Sequence, residues 1–281
     1  MPLPSVVFGI LSALTWGAGD FTGGIVSRRA GVYRAAFYGE ASGLIYLSIM
    51  LMVTREPVPG WTSWVWSAAA GGIGSLGLLM LFRSLADGQM SVAAPVSALM
   101  GAVLPVILSG LTEGLPSPEK YTGFALALVA IWLISRGGDS QKKFHLHLVN
   151  LRLPLLSGVC FGFYFILIHQ GSHTATVWPM VAARMAGSMV LFFFALVKRQ
   201  LSWPDRRIAP FVLLNAAGDI GGNTFYILAG QVGRLDVAAV LGSLYPGTTV
   251  LLAGLLLHER LNRSQWAGIL VALGAIALMT I

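Results

Sequence analysis

Long apolar runs separated by short polar segments make up almost all of this 281-residue chain. A helix that spans a bilayer needs about 20 mostly apolar residues, because the hydrocarbon core is about 30 Å thick and a helix rises about 1.5 Å per residue. The predicted spans are 4–26, 32–53, 64–83, 90–111, 118–135, 152–171, 177–197, 208–229, 236–257 and 264–281. The pattern therefore predicts an all-α integral membrane protein with ten transmembrane helices in contact with the lipid bilayer.

The two halves of the chain repeat at a constant offset of 145 residues. This offset relates Ser12 to Ser157 and Gly77 to Gly222, and similar matches extend from the first span to the fifth. Each half holds five spans, an odd number, so the second half enters the membrane from the opposite side. Inverted repeats of this kind are typical of transporters, whose substrate site lies near the bilayer midplane between the repeats.

The longest gap between spans lies in the middle of the chain. It includes the polar run Gly137-Gly138-Asp139-Ser140, whose composition is typical of a flexible linker. We therefore predict a first five-helix repeat over 1–136, a linker loop over 137–151 and a second five-helix repeat over 152–281.

Composition and charge agree with a membrane protein. Hydrophobic residues make up 56 % of the chain and charged residues 10 %, whereas a soluble domain carries about 25 % charged residues. The net charge of +7 does not indicate a nucleic-acid partner, because the basic residues lie in short loops between spans, where the positive-inside bias places them.

The same loops predict an orientation. The loops after odd-numbered spans (the odd loops) hold 14 Lys or Arg, and the loops after even-numbered spans (the even loops) hold 3. We therefore predict a multi-pass protein of the cytoplasmic (inner) membrane, with the odd loops in the cytoplasm and both termini outside.

Four ionisable residues lie inside the predicted spans: Asp20, Glu40, Arg184 and Asp219. Counted by helix rise, all four lie roughly 12 to 20 Å from the face of the odd loops. A charge at that depth is costly unless it has a partner or a wet cavity. We predict a polar cavity in which Arg184 pairs with one or more carboxylates and an unpaired carboxylate can carry a proton. The alternatives are a set of structural ion pairs that lock helices together, or a position of Asp20 and Glu40 in the wide mouth of a vestibule.

Polar and aromatic neighbours extend the predicted cavity. Trp16 lies four residues before Asp20, and Asn223 lies four residues after Asp219, so each shares a helix face with its carboxylate. Tyr226 follows three residues further on, and Tyr245 stands beside Pro246. The predicted substrate and ion cavity thus comprises Trp16, Asp20, Glu40, Arg184, Asp219, Asn223, Tyr226 and Tyr245.

Prolines interrupt two spans that occupy matching positions in the halves. Pro95 and Pro105 lie in the fourth span and Pro246 lies in the ninth. They predict kinks, which either act as hinges for gating or are fixed by packing. We expect no metal site, since the pair His145 and His147 in the linker is a weak signal.

Several motifs resemble one transporter family. Trp16-Gly17, Leu244-Tyr245-Pro246, the helix end at 255–261 and the last helix from Trp266-Ala267-Gly268 resemble the EamA-type branch of the drug/metabolite transporter superfamily. His258 stands where that helix end usually has glycine. The resemblance implies a secondary transporter that moves amino acids, other small metabolites or drugs, often outward, with no bound cofactor. Whether it acts as a monomer or a homodimer is open.

Two other functions compete with transport. Gly17-Ala18-Gly19-Asp20 spells the GxGD motif of intramembrane aspartyl proteases, in which two carboxylates share a proton. Asp219 would have to be the second carboxylate, in reversed chain order, and a four-letter motif in a glycine-rich chain is weak. The other alternative is a passive channel. The inverted repeat favours a transporter over an enzyme.

Overall fold

The protein is described here by a computed structural model, which covers residues 3–86, 90–135, 148–202, 205–256 and 262–280. The described residues form α-helices and no strands. The helices are α1 (Leu3–Ala30), α2 (Val32–Thr54), α3 (Trp61–Ala86), α4 (Met90–Thr112), α5 (Pro118–Ser135), α6 (Leu148–Gly171), α7 (Val177–Val197), α8 (Ala209–Val232), α9 (Leu235–Gly242), α10 (Tyr245–Leu256) and α11 (Arg263–Thr280). Two stretches that carried predictions lie outside the described residues. They are 136–147, which includes most of the predicted linker loop (137–151), and 257–261, which includes most of the helix end at 255–261.

The ninth predicted span is a broken helix. α9 ends at Gly242 and α10 begins at Tyr245, although together they form one segment long and apolar enough to cross a membrane. Pro246 lies in the first turn of α10, where its missing N–H costs no helical hydrogen bond. The chain therefore keeps ten spans, and turn hydrogen bonds from the Ser243 and Leu244 N–H groups to Ala239 and Leu241 bridge the break.

Apolar helices account for the membrane assignment. Among the described residues, five segments meet the length and hydropathy of a membrane span: Val32–Thr54, Trp61–Leu81, Arg152–Gly171, Val177–Val197 and Leu235–Leu256. The helices α1 and α8 are long but less apolar, and they carry Asp20, Asp219 and Asn223. These polar residues lower the hydropathy of α1 and α8, and all three line the cavity described below.

The helix packing follows the repeat. Helix α1 packs on α8 and α3 packs on α6, and exchanging the two halves converts one pair into the other. The pairs α2–α8 and α3–α7 are related in the same way, while α2–α7 and α5–α11 map onto themselves. The all-α architecture of two inverted five-helix repeats is therefore confirmed.

Two hydrogen bonds at equivalent positions of the repeats show the same symmetry between individual atoms. Ser12 Oγ donates to the Gly222 carbonyl oxygen at 2.9 Å, and Ser157 Oγ donates to the Gly77 carbonyl oxygen at 2.8 Å. The offset of 145 residues that relates Ser12 to Ser157 also relates Gly77 to Gly222. Both bonds join helices from opposite halves, so they fix the interface between the repeats.

Large apolar side chains cover the outside of the bundle. Met52, Leu111 and Met189 are exposed by 77 %, 80 % and 72 %. In water such a surface would drive association, whereas in a bilayer it is solvated by lipid tails. The intramembrane charged residues instead lie inside the bundle, around the space between the repeats.

Candidate functional site

A cavity of about 960 Å³, including the space continuous with solvent, lies between the two repeats. The predicted residues that line this cavity are Trp16, Asp20, Glu40, Arg184, Asp219, Asn223 and Tyr245. Helices α1, α2, α7 and α8 and the start of α10 thus bring residues from both halves of the chain to one space.

Arg184 is the centre of the charged cluster. Its guanidinium contacts the carboxylates of both Glu40 and Asp219. The Arg184 side chain is 10 % exposed and that of Glu40 is 13 %, whereas that of Asp219 is 36 % exposed. One cation therefore joins α2, α7 and α8, and its hydrogen-bonding capacity is directed at two carboxylates of the protein.

Asp20 differs from the other two carboxylates. Its side chain is exposed to the cavity from α1. No ion pair or hydrogen bond to the Asp20 carboxylate is found among the residues that the structure describes. Tyr245, at the start of α10, is near enough to interact with it electrostatically. Asp20 is thus the carboxylate that a ligand or a proton can reach without displacing Arg184.

Asn223 extends the cluster along α8. Its Nδ2 donates to the Asp219 carbonyl oxygen at 2.8 Å and lies 3.3 Å from Asp219 Oδ2. The Tyr164 hydroxyl donates to Asn223 Oδ1. Helix α6 therefore joins the same network, which includes side chains from four helices. Tyr164 was not among the predicted cavity residues, because a tyrosine in a span is more often a packing residue.

Tyr226 lies outside the cavity lining. Its side chain is fully buried, its hydroxyl donates to the Phe165 carbonyl oxygen at 3.1 Å, and its ring centroid lies 5.8 Å from that of Trp16. Because Asn223 and Tyr226 are three residues apart on α8, they point about 60° apart around the helix. Tyr226 thus packs against Trp16, and Trp16, not Tyr226, lines the cavity.

Glycines allow α1 and α8 to cross at this point. A Cβ atom on Gly218 would lie 2.6 Å from Gly19 Cα and 2.8 Å from the Thr15 carbonyl oxygen. These atoms belong to the backbone of α1 and cannot turn aside. The glycine-rich stretch around Asp20 therefore serves close helix packing, which brings Asp20 and Asp219 to the same cavity.

The three predicted hinge prolines lie in two different settings. Helix α4 runs without a break from Met90 to Thr112, through Pro95 and Pro105. Pro246, in contrast, follows the break between α9 and α10, and both Ser243 and Tyr245 at that break line the cavity. Movement at any of the three remains a prediction.

The repeat offset exposes an asymmetry in the cavity. Adding 145 residues relates Trp16 to Phe161, Asp20 to Phe165, Gly74 to Asp219 and Leu78 to Asn223. All eight side-chain positions line the cavity. At these positions α1 and α8 carry the charged and amide side chains, whereas α3 and α6 carry Phe161, Phe165, Leu78 and a glycine. The α3 and α6 wall is therefore mainly apolar and aromatic, and Ser75 and Tyr164 add hydroxyl groups to it. Apolar residues inside apolar spans gave no sequence signal of this second wall.

Two polar contacts join the repeats at the face of the even loops. The Glu56 carboxylate accepts hydrogen bonds from the backbone N–H groups of Thr176, Val177 and Trp178 at 2.6, 2.8 and 3.1 Å. This carboxylate caps the first turn of α7, the helix that carries Arg184.

The second contact is centred on Arg234, between α8 and α9. Its Nη2 donates to Asp236 Oδ2 at 2.8 Å and to the Gly114 carbonyl oxygen at 2.9 Å. Glu113 Oε2 lies 4.0 Å from Arg234 Nε. The hydrogen bonds that the Arg234 guanidinium donates to the Asp236 carboxylate raise the pKa of Arg234. The loop after α4 is therefore tied to the start of α9 across the repeat boundary.

Comparison with known proteins identifies the family. The model of the EamA-like transporter family matches residues 3–136 and 151–281. The chain belongs to the EamA-like transporter family. No curated protein matches it. A solved crystal structure is similar to this EamA-like chain, with a TM-score of 0.73 over 98 % of this chain and 96 % of that chain, at 17 % sequence identity. At that identity the likeness bears on the fold alone.

Proposed function

We propose that this EamA-like protein is a proton-linked secondary transporter that exports small organic metabolites, such as amino acids, or drugs across the cytoplasmic membrane by alternating access. The observation that carries the proposal is the charged cavity between two inverted repeats. A site at a repeat interface can be exposed to either side when one repeat rocks against the other, without moving the binding residues far from the midplane.

Asp20 is the proposed proton carrier. Glu40 and Asp219 both contact Arg184, whereas Asp20 faces the cavity. A carboxylate inside a membrane protein that has no cation beside it is favoured in a proton-carrying role. Proton uptake on one side and release on the other would couple the cavity's reorientation to the proton gradient.

The resemblance to EamA-type transporters, which often move substrates outward, favours export. The cavity lining does not select a face, because it reaches Leu81 near the end of α3 beside the odd loops and Met180 near the start of α7 beside the even loops. Contacts also join the repeats at both faces, since the Tyr38 hydroxyl donates to the Leu201 carbonyl oxygen at 2.8 Å beside the odd loops. Comparing uptake with efflux in proteoliposomes of known orientation therefore tests the direction.

The test is substrate-driven proton movement in proteoliposomes that contain the purified protein. A panel of metabolites is first screened for ligands that raise the melting temperature, since a ligand that binds the folded state stabilises it by mass action. Each ligand that stabilises the protein is then assayed for uptake with and without a pH gradient. Coupled transport predicts proton flux on addition of substrate, and its loss in Asp20→Asn. Uptake and pH dependence that are unchanged in both Asp20→Asn and Asp219→Asn would exclude this coupling.

The competing functions make different predictions. A passive channel would let substrate equilibrate without moving protons. An aspartyl protease would need Asp20 and Asp219 to share a proton, yet Asp219 contacts Arg184 and no hydrogen bond joins the two carboxylates in the described part of the chain. Cleavage of a reporter helix that is blocked by aspartyl-protease inhibitors would favour the protease.

A further inference from the structure

We propose that the substrate of this cavity is an organic cation, an amine or quaternary ammonium compound with an apolar or aromatic body, and that Asp20 is its counter-ion. This inference rests on the proposed transport function and names the substrate class for the same site. The family resemblance left amino acids, which are zwitterions, other small metabolites and drugs open as substrates. Three features of the cavity separate them: its net charge, the engagement of Arg184 and the division of its walls.

The cavity carries an excess of negative charge. Its lining includes the carboxylates of Asp20, Glu40 and Asp219, and Arg184 is the cation among the lining residues that the structure describes. With every group ionised, the formal charge of the lining is −2. Low-dielectric walls strengthen the field of such charges and raise the local concentration of oppositely charged solutes. The cavity therefore attracts a cation and repels an anion.

Arg184 is not free to receive a substrate carboxylate. Its Nη1 contacts Glu40 and its Nη2 contacts Asp219, so both ends of the guanidinium are engaged. A zwitterion or anion bound there would place a third carboxylate beside these two. Like charges at close range are unfavourable, and separating Arg184 from either partner would leave a charge unpaired inside the bundle. Recognition of a carboxylate by this arginine is therefore disfavoured.

The two walls of the cavity fit the two ends of an amphiphilic cation. On the α1 side, Asp20 lies one helical turn from Trp16, whose ring face can stack on an ammonium group that Asp20 attracts. On α3 and α6, Leu78 and Phe161 occupy the positions equivalent to Asn223 and Trp16. The ammonium group would bind against α1 and the apolar body against α3 and α6.

Four ligands on one scaffold test the charge requirement. Phenethylamine is a cation, phenylalanine a zwitterion, hydrocinnamate an anion and hydrocinnamamide neutral, while all four carry the same ring. These are measured beside a broad panel of small molecules grouped by net charge. The readouts are the melting temperature of the purified protein and the dissociation constant of each ligand that raises it.

The expected result is that the stabilising ligands are cations and that phenethylamine binds more tightly than its three relatives. Stabilisation mainly by zwitterions, anions or neutral molecules would overturn the inference while leaving transport intact. Failure of every cation in the panel to bind would also overturn it. Binding of cations without any flux in proteoliposomes would instead contradict the proposed transport function, so the two proposals fail separately.

Asp20→Asn identifies the counter-ion. The substitution keeps the size of the side chain and removes its charge, so cation affinity should fall by about tenfold or more, as expected when a charged partner is lost, while the affinity for hydrocinnamamide stays unchanged. Glu119→Gln is the matched control, because Glu119 is an exposed carboxylate outside the cavity lining. Cation affinity that is equal in Asp20→Asn and the unmodified protein would overturn the role of Asp20. The charge ranking in the unmodified protein tests the substrate class without any variant.

Discussion

Arg184 determines the geometry of the charged cluster because its guanidinium reaches both Glu40 and Asp219. Two carboxylates that face each other across a low-dielectric space repel strongly, and a guanidinium between them relieves that repulsion. The three side chains come from α2, α7 and α8, so the cluster joins a helix of the first repeat to two helices of the second. Asp20 is left outside this arrangement and is available for exchange with solvent and substrate.

Replacing Arg184 should therefore destabilise the protein as well as inactivate it. For Arg184→Met we expect a loss of about 3 to 5 kcal/mol in the free energy of unfolding, the range found when one partner of a buried ion pair is removed. The measurement is the melting temperature and the yield of folded protein in detergent.

Two further variants separate charge from side-chain volume. Arg152→Met is the control, because Arg152 is exposed at the start of α6 and its removal should leave stability unchanged. Adding Glu40→Gln to Arg184→Met should recover part of the loss, since it removes one of the two unpaired carboxylates. Normal yield, stability and transport in Arg184→Met would contradict the importance of the cluster.

At the scale of helices, glycines decide how closely the two repeats approach. Helices α1 and α8 meet backbone to backbone at Gly19 and Gly218, and the Trp16 indole lies where a Cβ on Gly222 would stand. Membrane helices associate through such small residues because lipid tails compete with any apolar side chain. The same crossing places the carboxylates of α1 and α8 on one cavity.

A methyl group at this crossing should separate the helices. Gly218→Ala places a Cβ against the α1 backbone, so we expect a loss of about 1 to 3 kcal/mol, as is usual for overpacking. Gly24→Ala is the matched control, because nothing lies within 4 Å of a Cβ at Gly24, and alanine favours a helix over glycine by up to about 1 kcal/mol. Thermal unfolding in detergent should thus lower the melting temperature of the first variant and maintain or raise that of the second. Equal melting temperatures would contradict the close approach.

Helix α7 is positioned from outside its own repeat. Glu56, in the loop after α2, accepts three hydrogen bonds from the first backbone N–H groups of α7. Those groups have no partner within the helix, and a carboxylate there also interacts favourably with the helix dipole.

Removing this carboxylate should loosen α7 in graded steps. Glu56→Ala leaves the three N–H groups to water, so we expect a loss of about 1 to 2 kcal/mol, the range for a helix cap. Glu56→Gln keeps acceptor oxygen but loses the charge, and its loss should be smaller. Hydrogen exchange of the backbone amides at 176–178 should increase more in Glu56→Ala than in Glu56→Gln. Unchanged exchange in both variants would show that the cap does not hold α7.

The sequence predicted the ten spans and the repeat because both depend on local composition and on a fixed offset. It also predicted that Arg184 pairs with one or more of the intramembrane carboxylates, since such charges are few and their depths follow from helix rise, but it did not select Glu40 and Asp219 over Asp20. It did not predict the break at Ser243, because a proline signals a kink without specifying whether the helix ends. Tyr226 was misassigned to the lining, since a three-residue spacing defines a broad helix face and the ring packs behind Trp16.

At the scale of the whole molecule, a symmetric backbone carries an asymmetric site. Symmetric hydrogen bonds from Ser12 and Ser157 hold the frame, yet Asp20 and Asp219 face the cavity where the equivalent positions hold Phe165 and Gly74. Packing constrains small residues and serines at the repeat interface on both sides equally. The lining is free of that constraint, so one wall is specialised for charge and the other for an apolar body.

The distribution of basic residues predicts how this asymmetric molecule lies in the membrane. The even loops hold three basic residues, Arg55, Lys120 and Arg234, and the odd loops hold 14. Because basic loops remain in the cytoplasm, we expect the odd loops to face the cytoplasm.

Labelling with a membrane-impermeant maleimide tests this orientation on intact cells. Cys160, the single cysteine, is first replaced by alanine, and one new cysteine is then introduced at Val58 in an even loop or at Lys198 at the end of α7 beside an odd loop. Both positions are exposed, so their labelling depends on which side they face. Val58→Cys should react on intact cells, and Lys198→Cys should react only after the membrane is permeabilised. The reverse pattern would place the odd loops outside and would contradict the predicted orientation.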